Sequence, residues 1–167
     1  MKIVCLGLLF SFGVLAQKIQ IESDPEANFS KYKTFTIAEG RMNSKSPELN
    51  SELIRKKVQF DLRKNLEAKG LTYVEYGPSD LNVRFTLGAA RKIERDVYPA
   101  GWRGWGTRVV RVPYTEGTLV IDLLDRGAHS MVWRGIAREE KSDPSKVEAK
   151  LDDMVKKAID KYPPKAK

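Results

Sequence analysis

Tyr114–Arg138, YTEGTLVIDLLDRGAHSMVWRGIAR, decides how this chain folds. Two runs of alternating apolar residues flank a turn containing Gly127, so the stretch reads as one β-hairpin. A five-residue turn over Arg126–Ser130 sets its register. Leu123 then faces Trp133, Ile121 faces Gly135 and Leu119 faces Ala137, with Gly135 leaving room for the Trp133 indole to lie across the sheet. On the other face Asp122 opposes Arg134, an ion pair worth about 0.2–1 kcal/mol. A one-residue change in the turn would send every one of these side chains to the wrong face.

Upstream of the hairpin the pattern stays extended. Leu81, Val83, Phe85, Leu87 and Ala89 alternate with Asn82, Arg84, Thr86 and Gly88, the signature of an antiparallel strand buried on one side. From Arg91 onward the apolar face admits Arg91 and Arg95, so this strand is expected to leave the core as an arm. Thr107–Tyr114 returns along it, which makes Tyr98–Gly106, YPAGWRGWG, the tip. Lys18–Ser23 and Tyr32–Ile37 read as two short strands separated by Asp24-Pro25, and Leu71–Tyr76 as another. Glu39–Ser46 reads as a polar loop.

Two helices complete the pattern. Ser46-Pro47-Glu48 reads as an N-cap serine with proline at the first helical position, and Gly70 ends that helix. Its apolar ridge is Ile54, Val58, Leu62 and Leu66. At about 100° per residue, Leu49, Leu53 and Phe60 fall on nearly the opposite side. Either the N-terminal segment covers them or they form a stripe for a protein partner. The last helix is capped at Asp143 and stopped by Pro163-Pro164, with Val147, Leu151, Met154, Val155, Ala158 and Tyr162 on its inner face. The expected class is α+β: an antiparallel sheet of about six strands in the order ββαββββα, two amphipathic helices and a protruding β-arm.

The first 16 residues, MKIVCLGLLFSFGVLA, begin with Lys2, run apolar from Ile3 to Leu15, and carry small residues at Val14 and Ala16. They read as a signal peptide, with residues 17–167 as a single domain exported to the periplasm or cell envelope. The apolar run falls short of the roughly 20 residues that span a bilayer, so no transmembrane segment is expected in the mature chain. The only cysteine, Cys5, lies inside that run and is a poor site for lipidation. The mature chain therefore has no thiol chemistry. It holds 29 basic residues, Lys2 excluded, against 22 acidic ones, or +7. Outside the cytosol that surplus meets lipid headgroups and wall polymers rather than nucleic acid.

Three segments together resemble a known family. They are DPEANFSKYKTFTI (Asp24–Ile37), AKGL (Ala68–Leu71) leading to PSDLNVRF (Pro78–Phe85), and GTLVIDLLD…VWRGIA (Gly117–Ala137), followed by the closing Tyr-Pro-Pro. The pattern is similar to domain-of-unknown-function family 4136, exported bacterial envelope proteins. The resemblance implies an envelope location and supplies no activity, so no catalytic residue is carried over. Many members look like lipoproteins, and this chain lacks a cysteine at the end of the signal.

Little in the chain points to catalysis. A Ser-His-Asp triad needs a histidine held by a carboxylate, and the one histidine, His129, sits in the hairpin turn beside Ser130. A carboxylate metal site from Glu116, Asp122 and Asp125 competes with Arg134, which claims Asp122, and with the turn, which claims Asp125. Glu139 and Glu140 are adjacent on a strand and point to opposite faces, unlike the facing carboxyl pair of a glycosidase. Gly101, Gly104 and Gly106 open no helix and precede no Lys-Ser/Thr, so they form no phosphate loop. No metal, catalytic residue or cofactor is expected.

The candidate contact surface is the arm tip, with Tyr98, Trp102 and Trp105 among Arg103 and Arg108. Aromatic faces beside guanidinium groups suit a cell-wall polymer, an anionic lipid surface or another envelope protein, unless the indoles simply fold back onto the arm. The resulting expectation is a non-enzymatic binding or accessory protein of the envelope. The alternatives are a small hydrolase acting on a cell-wall polymer and a structural subunit of an envelope assembly, the latter using Leu49, Leu53 and Phe60.

Overall fold

A computed structural model describes residues 18–99, 107–141 and 144–164; for 91–99, 107–114 and 141 it describes the backbone alone. The strands are β1 (Lys18–Ser23), β2 (Thr34–Ile37), β3 (Arg41–Ser44), β4 (Thr72–Tyr73), β5 (Leu81–Pro99), β6 (Thr107–Asp125) and β7 (Ser130–Lys141). The helices are α1 (Glu52–Glu67), the short α2 (Pro144–Glu148) and α3 (Leu151–Ile159). The strands form a single sheet in the order β1-β7-β6-β5-β2-β4, with β3 beside β5. The helices cover one face of it, and the core between them runs from Phe35, Leu81, Leu87 and Ile121 to Val58, Leu62, Leu151 and Met154. The other face of the sheet stays half open.

The class is α+β as expected, but the sheet is mixed and has seven strands. β5, β6, β7 and β1 are antiparallel neighbours, whereas β2 runs parallel to β4 and β5, and β3 runs parallel to β5. Alternation along β5 reports which face is buried and is blind to a neighbour's direction. The direction comes from α1, because a helix between two strands is the crossover that parallel strands require. The extra strand, β3, comes from the segment expected to be a polar loop. Its residues Arg41–Ser44 lack apolar alternation because they occupy an edge. Gly40 makes the approach possible: a Cβ there would fall 1.8 Å from Cζ of Phe85, whose ring lies against the backbone.

The hairpin register is as expected, by a different route. Leu119 pairs with Ala137, Ile121 with Gly135 and Leu123 with Trp133, while nearer the turn Leu124 pairs with Met131 and Asp125 with Ser130. The turn therefore holds four residues, Arg126–His129, and the extra residue is absorbed by a β-bulge that leaves Val132 without an opposite partner. The bulge lets Val132 and Trp133 both enter the core, 3% and 0% exposed. On the open face Arg134 donates to Asp122 through Nε at 2.6 Å and Nη2 at 3.0 Å. Both partners are partly solvated, so Asp122→Ala is expected to cost no more than about 1 kcal/mol in urea unfolding.

The first helix differs at its start, and the last, which starts at Pro144 as expected, is interrupted. Helix α1 begins one turn late, at an N-cap of Ser51 whose side chain accepts from Ile54 N–H at 3.2 Å. Ser46–Asn50 is instead a turn that tucks Leu49 fully into the interior. The last helix is broken into α2 and α3 at Ala149-Lys150, yet all six residues assigned to its inner face are buried. The expected cap, Asp143, lies outside the described residues.

Candidate functional site

The most unusual feature of the fold is the ribbon made by the far halves of β5 and β6. β7 stops where Lys141 pairs with Thr115, but β5 and β6 stay paired from Lys92↔Tyr114 to Pro99↔Thr107. Those eight further pairs carry the ribbon about 25 Å beyond the end of β7 at roughly 3.3 Å per residue. Both outer edges of the ribbon are unpaired among the described residues. The expected arm is therefore present in the backbone. Of its candidate contact residues, Tyr98 and Arg108 lie directly opposite each other near its end. Trp102, Arg103 and Trp105 lie outside the described residues.

At the ribbon's base a groove of about 930 Å³ opens between β3, β5, β6 and the start of α2. Asn43, Lys45, Ser46, Thr115, Glu116 and Thr118 give it a polar lining, and Gly88-Ala89-Ala90 forms its floor. Sequence reasoning missed this groove. Its one legible signal is the run of small residues at 88–90 facing Gly117, since such a run marks a place where little side chain fills the space.

At the opposite end of the sheet two carboxylates hold loops together. Asp125 accepts from Tyr32 Oη at 2.9 Å, Lys31 Nζ at 2.7 Å and the N–H groups of Gly127 and Ala128 at 2.8 and 3.0 Å. Asp80 accepts from the N–H groups of Lys33 and Thr34 and from the Thr34 hydroxyl. The Lys31 ammonium, followed by the turn N–H groups, holds the Asp125 carboxyl well below the usual carboxylate range. Backbone N–H groups lower Asp80 in the same sense. Both acids are thus kept ionised, the opposite of what a general acid requires. The conceivable carboxylate trio does not assemble: Glu116 and Asp122 are six residues apart on β6, about 20 Å, and Asp125 points to the other face. His129 is an exposed turn residue with a φ of 53°.

The stripe expected from Leu49, Leu53 and Phe60 splits. Leu49 is buried, while Leu53 and Phe60 are 78% and 65% exposed on the outer side of α1. The N-terminal strand does not cover them, because β1 pairs with β7 at the sheet edge. No helix among the described residues is long and apolar enough to cross a membrane.

The model of the family described as domain of unknown function DUF4136 matches residues 19–164. The chain belongs to this family. The match runs from β1 to the closing prolines, so sheet, ribbon and helices are all parts of the DUF4136 domain. No curated protein matches the chain. Among solved structures, a PDZ domain protein from Parabacteroides distasonis is similar at 13% identity with a TM-score of 0.61, covering 88% of this chain. This chain corresponds to only 35% of that protein's length. Two crystal forms of the PelC dodecamer from Paraburkholderia phytofirmans, one of them of a point variant, are similar at 11–12% identity with TM-scores of 0.52 and 0.51. These cover 86% of this DUF4136 chain and 95% of PelC. At such identities the likeness is one of fold.

Proposed function

We propose that this DUF4136 protein is an exported cell-envelope accessory protein that works by binding, with the β5–β6 ribbon as its contact arm and a cell-wall polymer as the surface it meets. The observation that carries the reading is the ribbon itself, two strands that stay paired past the end of β7 with no third strand beside them among the described residues. A pair of strands extending this far from the core is marginal in isolation, so its extension suits presentation of what lies at its end. There the sequence places Trp102 and Trp105 beside Arg103, between the opposed Tyr98 and Arg108. Flat aromatic faces stack on sugar rings, and guanidinium groups pair with the carboxylates and phosphates of wall polymers. The apolar N-terminal run supports export. A hydrolase is the weaker reading because Asp80 and Asp125 are held ionised by loop hydrogen bonds.

Sedimentation with purified sacculi tests the proposal. Residues 17–167 are expected to pellet with sacculi at moderate salt, and a Trp102→Ala/Trp105→Ala variant is expected to remain in the supernatant. Equal pelleting of the two proteins, or none by either, would remove the arm as the contact site. A second reading, a structural subunit, draws on the unpaired ribbon edges and on the occurrence of this fold as a dodecamer in PelC. A monomeric mass by light scattering would dispose of it.

A further inference from the structure

We infer that the outer face of α1 is a docking surface for an anionic lipid bilayer, independent of the ribbon. Leu53 and Phe60 lie seven residues apart on one line of the helix and are 78% and 65% exposed. Lys56, Lys57 and Lys64 fall within about 60° of that line. Lys57 is 3.3 Å from Asp61, whereas Lys56 and Lys64 have no ion-pair partner among the described residues. The nearest acid on this face, Glu67, is neutralised by Arg63 at 3.1 Å.

Shape and charge together select the occupant. Sixteen residues of helix present a strip about 24 Å long and about 10 Å wide. That is roughly 240 Å², well short of the 800 Å² or so that each partner of a stable protein complex contributes. The strip is also the convex outside of a helix, a shape that does not itself enclose apolar tips as a protein hot spot would. A bilayer needs no such enclosure. Apolar side chains enter at the headgroup level, and lysine stems lie along them with their ammonium groups among the phosphates.

Vesicle co-sedimentation decides the question. Residues 17–167, which contain every described element and exclude the apolar leader, are expected to pellet with phosphatidylcholine vesicles containing roughly one third phosphatidylglycerol and to stay soluble with phosphatidylcholine alone. Leu53→Ser/Phe60→Ser and Lys56→Glu/Lys64→Glu are each expected to lower the bound-to-free ratio at least about tenfold. All four positions are at the surface, so circular dichroism should show both variants folded. Trp102→Ala/Trp105→Ala is expected to pellet like the parent, which separates this surface from the arm. Absence of pelleting with anionic vesicles, or pelleting unchanged in both helix variants, would overturn the inference. A Leu53→Ser/Phe60→Ser variant that alters the sedimenting mass while leaving vesicle binding intact would make the face a contact between copies and overturn it equally.

Discussion

Trp133→Ala is expected to destabilise the domain by about 3–5 kcal/mol, the largest effect of any single truncation in the core. The indole is fully buried and meets Tyr162 edge-on, with ring centroids 5.8 Å apart. Tyr162 in turn packs edge-on against Phe29 at 5.8 Å, and burial pushes its hydroxyl up to about 12. Removing the indole therefore leaves a cavity where β7, the closing segment and the N-terminal loop meet. The indole N–H has no acceptor among the described residues, so Trp133→Phe loses volume alone and is expected to cost clearly less. A companion change tests the same packing from below. A Cβ at Gly135 would sit 2.5 Å from Cη2 of the indole, so Gly135→Ala should cost about 1–3 kcal/mol through overpacking. Urea unfolding of the three variants measures all of this; a Trp133→Ala midpoint within error of the parent would mean the indole is not a core element.

The second large effect belongs to Asp125. Asp125→Ala strips the acceptor from the buried Tyr32 hydroxyl and from the Gly127 and Ala128 N–H groups. Each orphaned buried donor costs about 1–3 kcal/mol, less where water reaches it, so a total of about 3 kcal/mol is expected. The carboxyl is lower in the folded than in the unfolded chain, first through the Lys31 ammonium and then through the turn N–H groups. The stability it contributes is therefore fully present above the unfolded carboxylate range, near pH 4, and is lost as pH falls below it. Asp80 and Asp160 are lowered in the same sense and add to that acid sensitivity. Unfolding free energies measured from pH 7 down to pH 3 should fall for the parent and fall less steeply for Asp125→Asn. Parallel curves for the two proteins would assign the acid sensitivity to other groups.

How much of this was legible varies with the kind of force involved. Burial patterns were legible wherever a strand or helix has one wet face. The alternation of β5, the ridge of α1 and the six inner residues of the last helix all follow from solvent on one side. The hairpin register was legible because a slip of one residue would have exposed Leu119, Ile121 and Leu123 together. The turn length was not, since a five-residue turn and a four-residue turn with a bulge give the same pairs beyond Trp133. Leu49 was misplaced because Ser46-Pro47 resembles a helix start, whereas the helix takes its cap from Ser51 and leaves Ser46–Asn50 to a buried turn. The groove at the ribbon's base went unseen because its walls come from residues 43–46, 88–90 and 115–118, distant in sequence and individually ordinary.

The chain by itself determined its α+β class, its family, the hairpin pairing and the ribbon. All of these are written in local periodicity or in short motifs. Only the tertiary structure decided that the sheet is mixed, that β3 exists, that Leu49 is buried while Leu53 and Phe60 stand exposed among lysines, and that Asp125, besides ordering its turn, joins Asp80 in holding residues 31–34. These depend on which segments meet across the fold. A side chain's neighbours, and with them its exposure and its charge state, are set by chain segments that the local pattern does not contain.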